Sequence, residues 1–203
     1  MKLNEVKAFI TGGVSGLGLA VATKVVSEGG QAVLIDINDE AGAEAIESLG
    51  SQVSYINADV TSEAAILAAV DTAVERMGGL NVAVNCAGFI GASRVLGREA
   101  PMALDFFSKV IQINLIGSFN VCKAAGAAME SNEPNEDGER GVIISTASVA
   151  AYEGQIGQAA YSASKAGIVG MTLTVARDLS AVGVRVNTII PGLFDTPLYG
   201  EGE

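Results

Sequence analysis

Six short runs of apolar, β-branched residues alternate along the chain with segments of helical spacing, and this alternation constrains the fold most strongly. The runs are continuously apolar, which is typical of parallel strands buried on both faces. With right-handed crossovers they predict an α/β fold, a Rossmann-type doubly wound parallel sheet, in a single domain over residues 1–203. The predicted strands are 6–10, 32–37, 53–56, 82–85, 142–145 and 184–190, and the predicted helices are 17–27, 39–49, 62–77, 104–129 and 161–180.

A glycine-rich turn follows the first predicted strand and opens the first predicted helix. Residues 11–18 read T-G-G-V-S-G-L-G. Gly12, Gly16 and Gly18 allow a tight turn, a close approach of a phosphate to backbone N–H groups, and close helix packing. This is the position at which dinucleotides bind their pyrophosphate. The spacing differs from the common G-x-G-x-x-G, so a purely structural turn is the alternative.

Asp36 ends the second predicted strand, 18 residues after Gly18. A carboxylate there can accept hydrogen bonds from the hydroxyls of an adenosine ribose. It would repel a 2′-phosphate, and neither Ile37 nor Asn38 supplies the arginine that NADP requires. The position therefore predicts NAD as the cofactor, with a carboxylate that only begins a turn as the alternative.

Polar and small residues also follow the third and fourth predicted strands. The carboxyl ends of parallel strands share one edge of the sheet, where open α/β sheets bind ligands. Each of these positions is predicted to contact the cofactor, and each could equally be a turn. They are Asp59 and Val60 after the third strand, and Asn85, Cys86, Ala87 and Gly88 after the fourth.

The chain has no histidine, which excludes Ser-His-Asp hydrolysis, Cys-His proteolysis and His-ligated zinc. Its two cysteines, Cys86 and Cys122, form no C-x-x-C pair and are too few for a metal cage. We therefore predict no metal site. Proton transfer must use Tyr, Lys, Asp, Glu or Cys.

Tyr161 and Lys165 are four residues apart and share one face of a predicted helix, with Ser148 13 residues upstream of Tyr161. A tyrosine with a pKa of about 10 is a poor base at neutral pH, but a neighbouring ammonium and an oxidised nicotinamide lower that pKa. In this interpretation Tyr161 takes the proton of a substrate hydroxyl while hydride leaves for the nicotinamide. The Ser148 hydroxyl holds the substrate oxygen as charge develops.

Twelve basic and 23 acidic residues give a net charge of −11, the wrong sign for binding nucleic acid. No apolar run is long enough to span a bilayer, and the N-terminus lacks the pattern of a signal peptide. We therefore expect a soluble, intracellular protein whose partner is a small-molecule substrate rather than nucleic acid or a membrane.

Taken in order, these motifs resemble the short-chain dehydrogenase/reductase family along the whole chain. The motifs that carry the resemblance are T-G-G-V-S-G-L-G, Asp36, Asp59-Val60, N-C-A-G, Asn114, Ser148, Y-S-A-S-K and Pro191-Gly192. N-C-A-G replaces the family's more usual N-N-A-G, which puts Cys86 near the cofactor.

The resemblance also implies roles for single residues. Asn114 would support the active-site helix and a proton relay, and Gln155 would face the substrate. The implied cofactor contacts are Ser15 and Leu17 at the pyrophosphate, Asp36 at the ribose, Asp59 and Val60 at the adenine, Cys86 along the cofactor, Tyr161, Lys165, Pro191 and Gly192, and Phe194 and Thr196 at the nicotinamide end.

Residues 141–172, together with A-R-D-L and P-G-L-F-D-T-P-L, resemble members that oxidise 3-hydroxyacyl-CoA thioesters in fatty acid metabolism. This closer resemblance implies NAD-dependent oxidation of such thioesters, with tolerance for other secondary alcohols. It also implies a homotetramer, in the cytoplasm or, in a eukaryote, the mitochondrial matrix. Members usually continue with a lid, a helix and a seventh strand, so we expect this chain to lack the last helix and strand.

Two other functions stay open. The first keeps the chemistry but takes a steroid, a sugar or another small secondary alcohol; the net charge favours it, because CoA phosphates need basic groups. Arg94, Arg98 and Lys109 are the candidates for that contact. The second alternative is a non-catalytic NAD-binding scaffold on the same fold.

Overall fold

Six parallel strands form one sheet in the computed structural model, which describes residues 1–197. The strand order is β3-β2-β1-β4-β5-β6, so the order reverses between β1 and β4. This reversal is the topological switch point at which open α/β sheets bind ligands. The strands are β1 Lys7–Thr11, β2 Gln31–Asp36, β3 Val53–Asn57, β4 Val82–Asn85, β5 Gly141–Thr146 and β6 Val184–Ile189.

The connections between the strands are helical, as parallel pairing requires. Ser62 caps α3, because its side chain accepts a hydrogen bond from the Ala65 N–H at 3.3 Å. The helices are α1 Gly16–Ser27, α2 Asp39–Leu49, α3 Glu63–Met77, α4 Leu104–Ile111, α5 Gly117–Glu130 and α6 Ala159–Ser180, with a π-helical turn at Gln112–Ile116 and 3₁₀ turns at Leu3–Glu5 and Val149–Ala151.

Both faces of the sheet are buried. Phe9 packs on one face with apolar residues of α3 and α5, whereas its neighbours Ala8 and Ile10 pack on the other with residues of α1 and α2. Side chains that alternate between two apolar layers explain why the strands are apolar throughout. The predicted doubly wound sheet is confirmed.

The strand and helix bounds lie within one or two residues of the predicted ones, with one exception. Residues 104–129, predicted as one helix, are interrupted by the π-helical turn, in which Asn114 is fully buried. Within residues 1–197 no helix is both long and apolar enough to cross a membrane.

Candidate active site

A cavity of about 640 Å³ opens at the carboxyl edge of the sheet, beside the switch point. One end lies at the turn between β1 and α1, and the other lies between β5 and α6. Most residues predicted for the site line it. These are Gly12, Ser15, Gly16, Leu17, Gly18, Asp36, Asp59, Val60, Cys86, Ala87, Gly88, Ser148, Tyr161, Lys165, Pro191, Gly192, Phe194 and Thr196.

The glycines of the β1–α1 turn allow the backbone to pass where side chains would collide. Gly12 has a φ of +61°, and a Cβ there would lie 2.7 Å from the Ala87 nitrogen. A Cβ on Gly18 would lie 2.1 Å from the Gly12 oxygen. The first turn of α1 therefore sits directly on the cavity, where its N–H groups and the positive end of the helix dipole favour a phosphate.

Asp36 forms the far wall of this end. Its Oδ1 accepts hydrogen bonds from the N–H groups of Ile37 at 2.8 Å and Asn38 at 3.2 Å. Among the described residues Oδ2 accepts none, so it can receive a ligand hydroxyl. Asp59 lies across this end, and its Oδ1 accepts bonds from the N–H and the hydroxyl of Thr61, both at 2.8 Å.

Ser148, Tyr161 and Lys165 come together at the other end. All three are nearly buried, with 4–5% of each exposed. The Ser148 Oγ accepts a hydrogen bond from the Ala150 N–H at 3.2 Å, which leaves its own hydrogen for a ligand. Lys165 Nζ lies 5.7 Å from the centre of the Tyr161 ring. The structure thus places these three side chains around one end of the same cavity.

Burial also governs the charges at this end. It lowers the pKa of Lys165 to about 8, so the group is still an ammonium at neutral pH. The ammonium donates a hydrogen bond to the Thr146 carbonyl at 2.6 Å. Burial raises the pKa of Cys86, whose Sγ lies 3.6 Å from Thr146 Oγ1. Cys86 is therefore a neutral thiol rather than a nucleophile.

Comparison with known proteins agrees with this geometry. Residues 6–202 match a family profile described as short chain dehydrogenase. The chain belongs to the short-chain dehydrogenases. It is 54% identical to 3-hydroxyacyl-CoA dehydrogenase type-2 of Bos taurus and 52% to that of Homo sapiens, over 193 residues that cover 94% of this chain and 74% of each relative. The crystal structure of 3-hydroxyacyl-CoA dehydrogenase type-2 from Mycobacterium avium superimposes with a TM-score of 0.89 at 41% identity, covering 94% of this chain and 76% of that one.

This short-chain dehydrogenase is thus an oxidoreductase related to 3-hydroxyacyl-CoA dehydrogenase type-2, and the alternative of a non-catalytic scaffold is set aside. Within residues 1–197 no three His, Cys, Asp or Glu side chains come together as a metal site would need.

Three residues predicted for the site of this dehydrogenase do not line its cavity. Asn85 is buried, and its amide points to the Ser145 hydroxyl at 3.1 Å and the Cys122 sulfur at 3.7 Å. Gln155 is exposed on the loop before α6. Asn114 lies behind the cavity, where its side chain both accepts from the Phe89 N–H at 2.8 Å and donates to the Phe89 carbonyl at 3.0 Å.

Asn114 also connects the π-helical turn to α6. Its Nδ2 donates to the Ser164 hydroxyl at 2.9 Å, and that hydroxyl donates to the Tyr161 carbonyl at 2.7 Å. Asn114 thereby fixes the loop after β4 and the start of α6 relative to each other. Its predicted support of the active-site helix has a structural basis in these bonds.

Several lining residues of the dehydrogenase cavity were not predicted as cofactor contacts. Ile37, Ala58 and Ala147 directly follow β2, β3 and β5, so the rule that ligands bind after strand ends could have found them. Phe89 and Ile113 carry no such signal, because loop and helix packing brings them there. Lys109 is predicted above only as a contact for a CoA phosphate. The lining residues not predicted as cofactor contacts are Ile35, Ile37, Ala58, Phe89, Lys109, Ile113, Thr146, Ala147 and Pro197.

Proposed function

We propose that this enzyme oxidises the 3-hydroxyl of 3-hydroxyacyl-CoA thioesters to a 3-oxo group, with NAD as the hydride acceptor. The observation that carries the proposal is one continuous cavity that joins a glycine turn to a buried Ser-Tyr-Lys cluster. The similarity to 3-hydroxyacyl-CoA dehydrogenase type-2 supports the substrate class.

The residues present fit a dinucleotide. At Gly12 and Gly18 a Cβ would collide with neighbouring backbone, and this close packing brings the start of α1 to the cavity, where it suits a pyrophosphate. The open oxygen of Asp36 suits the ribose hydroxyls. Thr196 lies over the turn, since a Cβ on Gly16 would be 3.3 Å from the Thr196 Cβ. Asp36 would repel a 2′-phosphate, which favours NAD over NADP.

In the proposed mechanism a bound NAD would supply the hydride acceptor for the carbon that carries the hydroxyl. Tyr161 accepts the hydroxyl proton. The Ser148 hydroxyl donates a hydrogen bond to the same oxygen and stabilises its developing charge. The Lys165 ammonium, which the Thr146 carbonyl holds near the Tyr161 ring, stabilises the phenolate form of Tyr161.

A second candidate keeps this chemistry and changes the alcohol to a steroid, a sugar or another small secondary alcohol. Two lysines line the described cavity, and one of them, Lys165, is buried. Arg94 and Arg98 are exposed outside its lining, which leaves Lys109 as the accessible cation for a CoA phosphate. This scarcity of basic groups favours an uncharged alcohol.

Mixing the purified protein with NAD and either 3-hydroxybutyryl-CoA or a hydroxysteroid, and following NADH absorbance, tests the proposal. We expect NADH from the thioester, and a turnover on the order of 10³-fold lower for Tyr161→Phe at unchanged NAD affinity. Tyr152→Phe, the same change at an exposed position, serves as the matched control. NADH from the steroid alone would support the second candidate, and NAD binding without turnover of either would refute both.

We also propose a homotetramer in the cytoplasm or mitochondrial matrix, with residues 1–203 belonging to one domain. The exposed apolar side chains of Phe119 on α5 and Leu173 on α6 support subunit contacts, since interfaces commonly bury such groups. Sedimentation analysis of the purified protein tests the oligomeric state. A monomer at micromolar concentration would contradict it.

A further inference from the structure

The turn that carries Asp36 is held from β3 by two polar side chains. The Tyr55 hydroxyl lies 3.0 Å from both the Asp36 carbonyl and the Asp39 carboxylate. Asn57 Nδ2 donates to the same carboxylate at 2.7 Å and to the Ile37 carbonyl at 3.3 Å. Four hydrogen bonds therefore join β3 to Asp36, Ile37 and Asp39, and none of them belongs to the strand pairing.

The Tyr55 contact also reaches the opposite wall. The Asp36 carbonyl that accepts from Tyr55 accepts as well from the Ala58 N–H, at 3.1 Å. Ala58 is followed by Asp59 and Val60, and all three line the cavity at the same end as Asp36. One carbonyl thus joins the two segments between which an adenosine would lie.

The Tyr55 ring has little freedom to move away. A Cβ on Gly42 of α2 would lie 2.8 Å from three of its carbons, so ring and helix backbone are in direct contact. Burial, with Asp39 adding to it, raises the pKa of Tyr55 to about 12. The hydroxyl therefore remains a hydrogen-bond donor at neutral and mildly alkaline pH.

We propose that Tyr55 is a positioning residue for cofactor binding. Its hydroxyl acts with Asp39 and Asn57 to set the distance between the segments that carry Asp36 and Asp59. This distance determines the affinity for the adenosine half of the dinucleotide. The inference rests on the proposed use of NAD. Tyr55 itself does not line the cavity, so it acts through Asp36.

Calorimetric titration of the full chain with NAD, ADP-ribose and nicotinamide mononucleotide tests this. For Tyr55→Phe, which keeps the ring against Gly42, we expect the Kd for NAD and ADP-ribose to rise about fivefold, the effect of one hydrogen bond. The Kd for nicotinamide mononucleotide, which lacks adenosine, should not change, nor should kcat at saturating NAD. Tyr152→Phe removes an exposed hydroxyl and should leave every Kd unchanged.

A second variant, Asn57→Ala, removes the neighbouring hydrogen-bond donor. It should raise the Kd for NAD and for ADP-ribose and leave the Kd for nicotinamide mononucleotide unchanged. Equal Kd values for NAD in the wild type and both variants would overturn the positioning role. So would an equal rise for all three ligands, since that would reflect general loosening of the fold. A wild type that fails to bind NAD at all would overturn the proposed function, and the inference with it.

Discussion

The two ends of the cavity differ in what forms them. At the β1–α1 turn the ligand surface is backbone, and close approach is possible because Gly12 and Gly18 have no side chains. At the catalytic end the surface is formed by the side chains of Ser148, Tyr161 and Lys165, which come from two separate segments of the chain. Shape therefore depends on local geometry at the first end and on tertiary packing at the second.

The two ends of the cavity also differ in how they affect the stability of the fold. The turn is held by neighbouring backbone, as in the hydrogen bond from the Gly13 N–H to the Ile35 carbonyl of β2 at 3.3 Å. The catalytic end holds an ammonium of which 5% is exposed, and a buried charge costs stability. Changes at the turn should thus reduce binding and stability together, whereas changes at the catalytic end should separate stability from activity.

Gly18→Ala should have the largest effect. Its Cβ would lie 2.1 Å from the Gly12 oxygen, so either the turn or α1 must move. We expect a loss of about 3 kcal/mol in the free energy of unfolding, measured by urea denaturation. We also expect no NAD binding that calorimetry can detect.

Gly170→Ala is the matched control, because nothing lies within 4 Å of a Cβ at that position in α6. It should stabilise the protein by about 1 kcal/mol, the helix preference for alanine. Wild-type NAD affinity in Gly18→Ala would show that close backbone approach does not shape this end.

Lys165→Met should change stability and activity in opposite directions at the catalytic end. Lowering the pKa of Lys165 from 10.5 to about 8 costs about 3 kcal/mol of stability at neutral pH, partly offset by the bond to the Thr146 carbonyl. The variant should therefore be more stable by about 1–2 kcal/mol while turnover falls on the order of 10²-fold. Thermal unfolding measures the stability of the variant, and NADH formation measures its turnover. A variant that is less stable than the wild type would mean that the ammonium is well compensated where it lies.

The difference in stability between Lys165→Met and the wild type should depend on pH, and the pKa of Lys165 gives the direction. Because the pKa of Lys165 is lower in the folded than in the unfolded chain, its cost is full below about pH 8 and disappears as the pH rises through 10.5. The stability advantage of Lys165→Met over the wild type should fall by about 2 kcal/mol between about pH 7.5 and pH 10, which is enough to close the gap or reverse its sign. A gap that stays constant in urea denaturation across this range would contradict the lowered pKa.

The difference between the ends also explains what the sequence could predict. The alternation of strands with helices and the glycine turn are local patterns, so the sequence predicts the doubly wound sheet and the placement of Gly12, Asp36 and Asp59 at its edge. The π-helical turn was not, because the apolar spacing of residues 104–129 fits one helix. The turn surrounds Asn114, whose partners Phe89 and Ser164 lie 25 and 50 residues away in sequence. Asn85 likewise ends a strand at the correct edge, but only packing shows that its amide turns inward to Ser145.

The smallest predicted effects concern two hydroxyls of the Y-S-A-S-K motif. The Ser164 hydroxyl is fully buried and bonds to both Asn114 and the Tyr161 carbonyl, whereas the buried Ser162 Oγ has no hydrogen-bond partner within residues 1–197. Ser164→Ala should cost about 1 kcal/mol in urea denaturation and lower kcat, because the bond from α6 to Asn114 is lost. Ser162→Ala should stabilise the protein by about 1 kcal/mol, since it removes a buried hydroxyl whose desolvation no hydrogen bond offsets. Equal costs for the two would mean that the bond to Asn114 does not hold the start of α6 in place, and that the catalytic end depends on apolar packing alone.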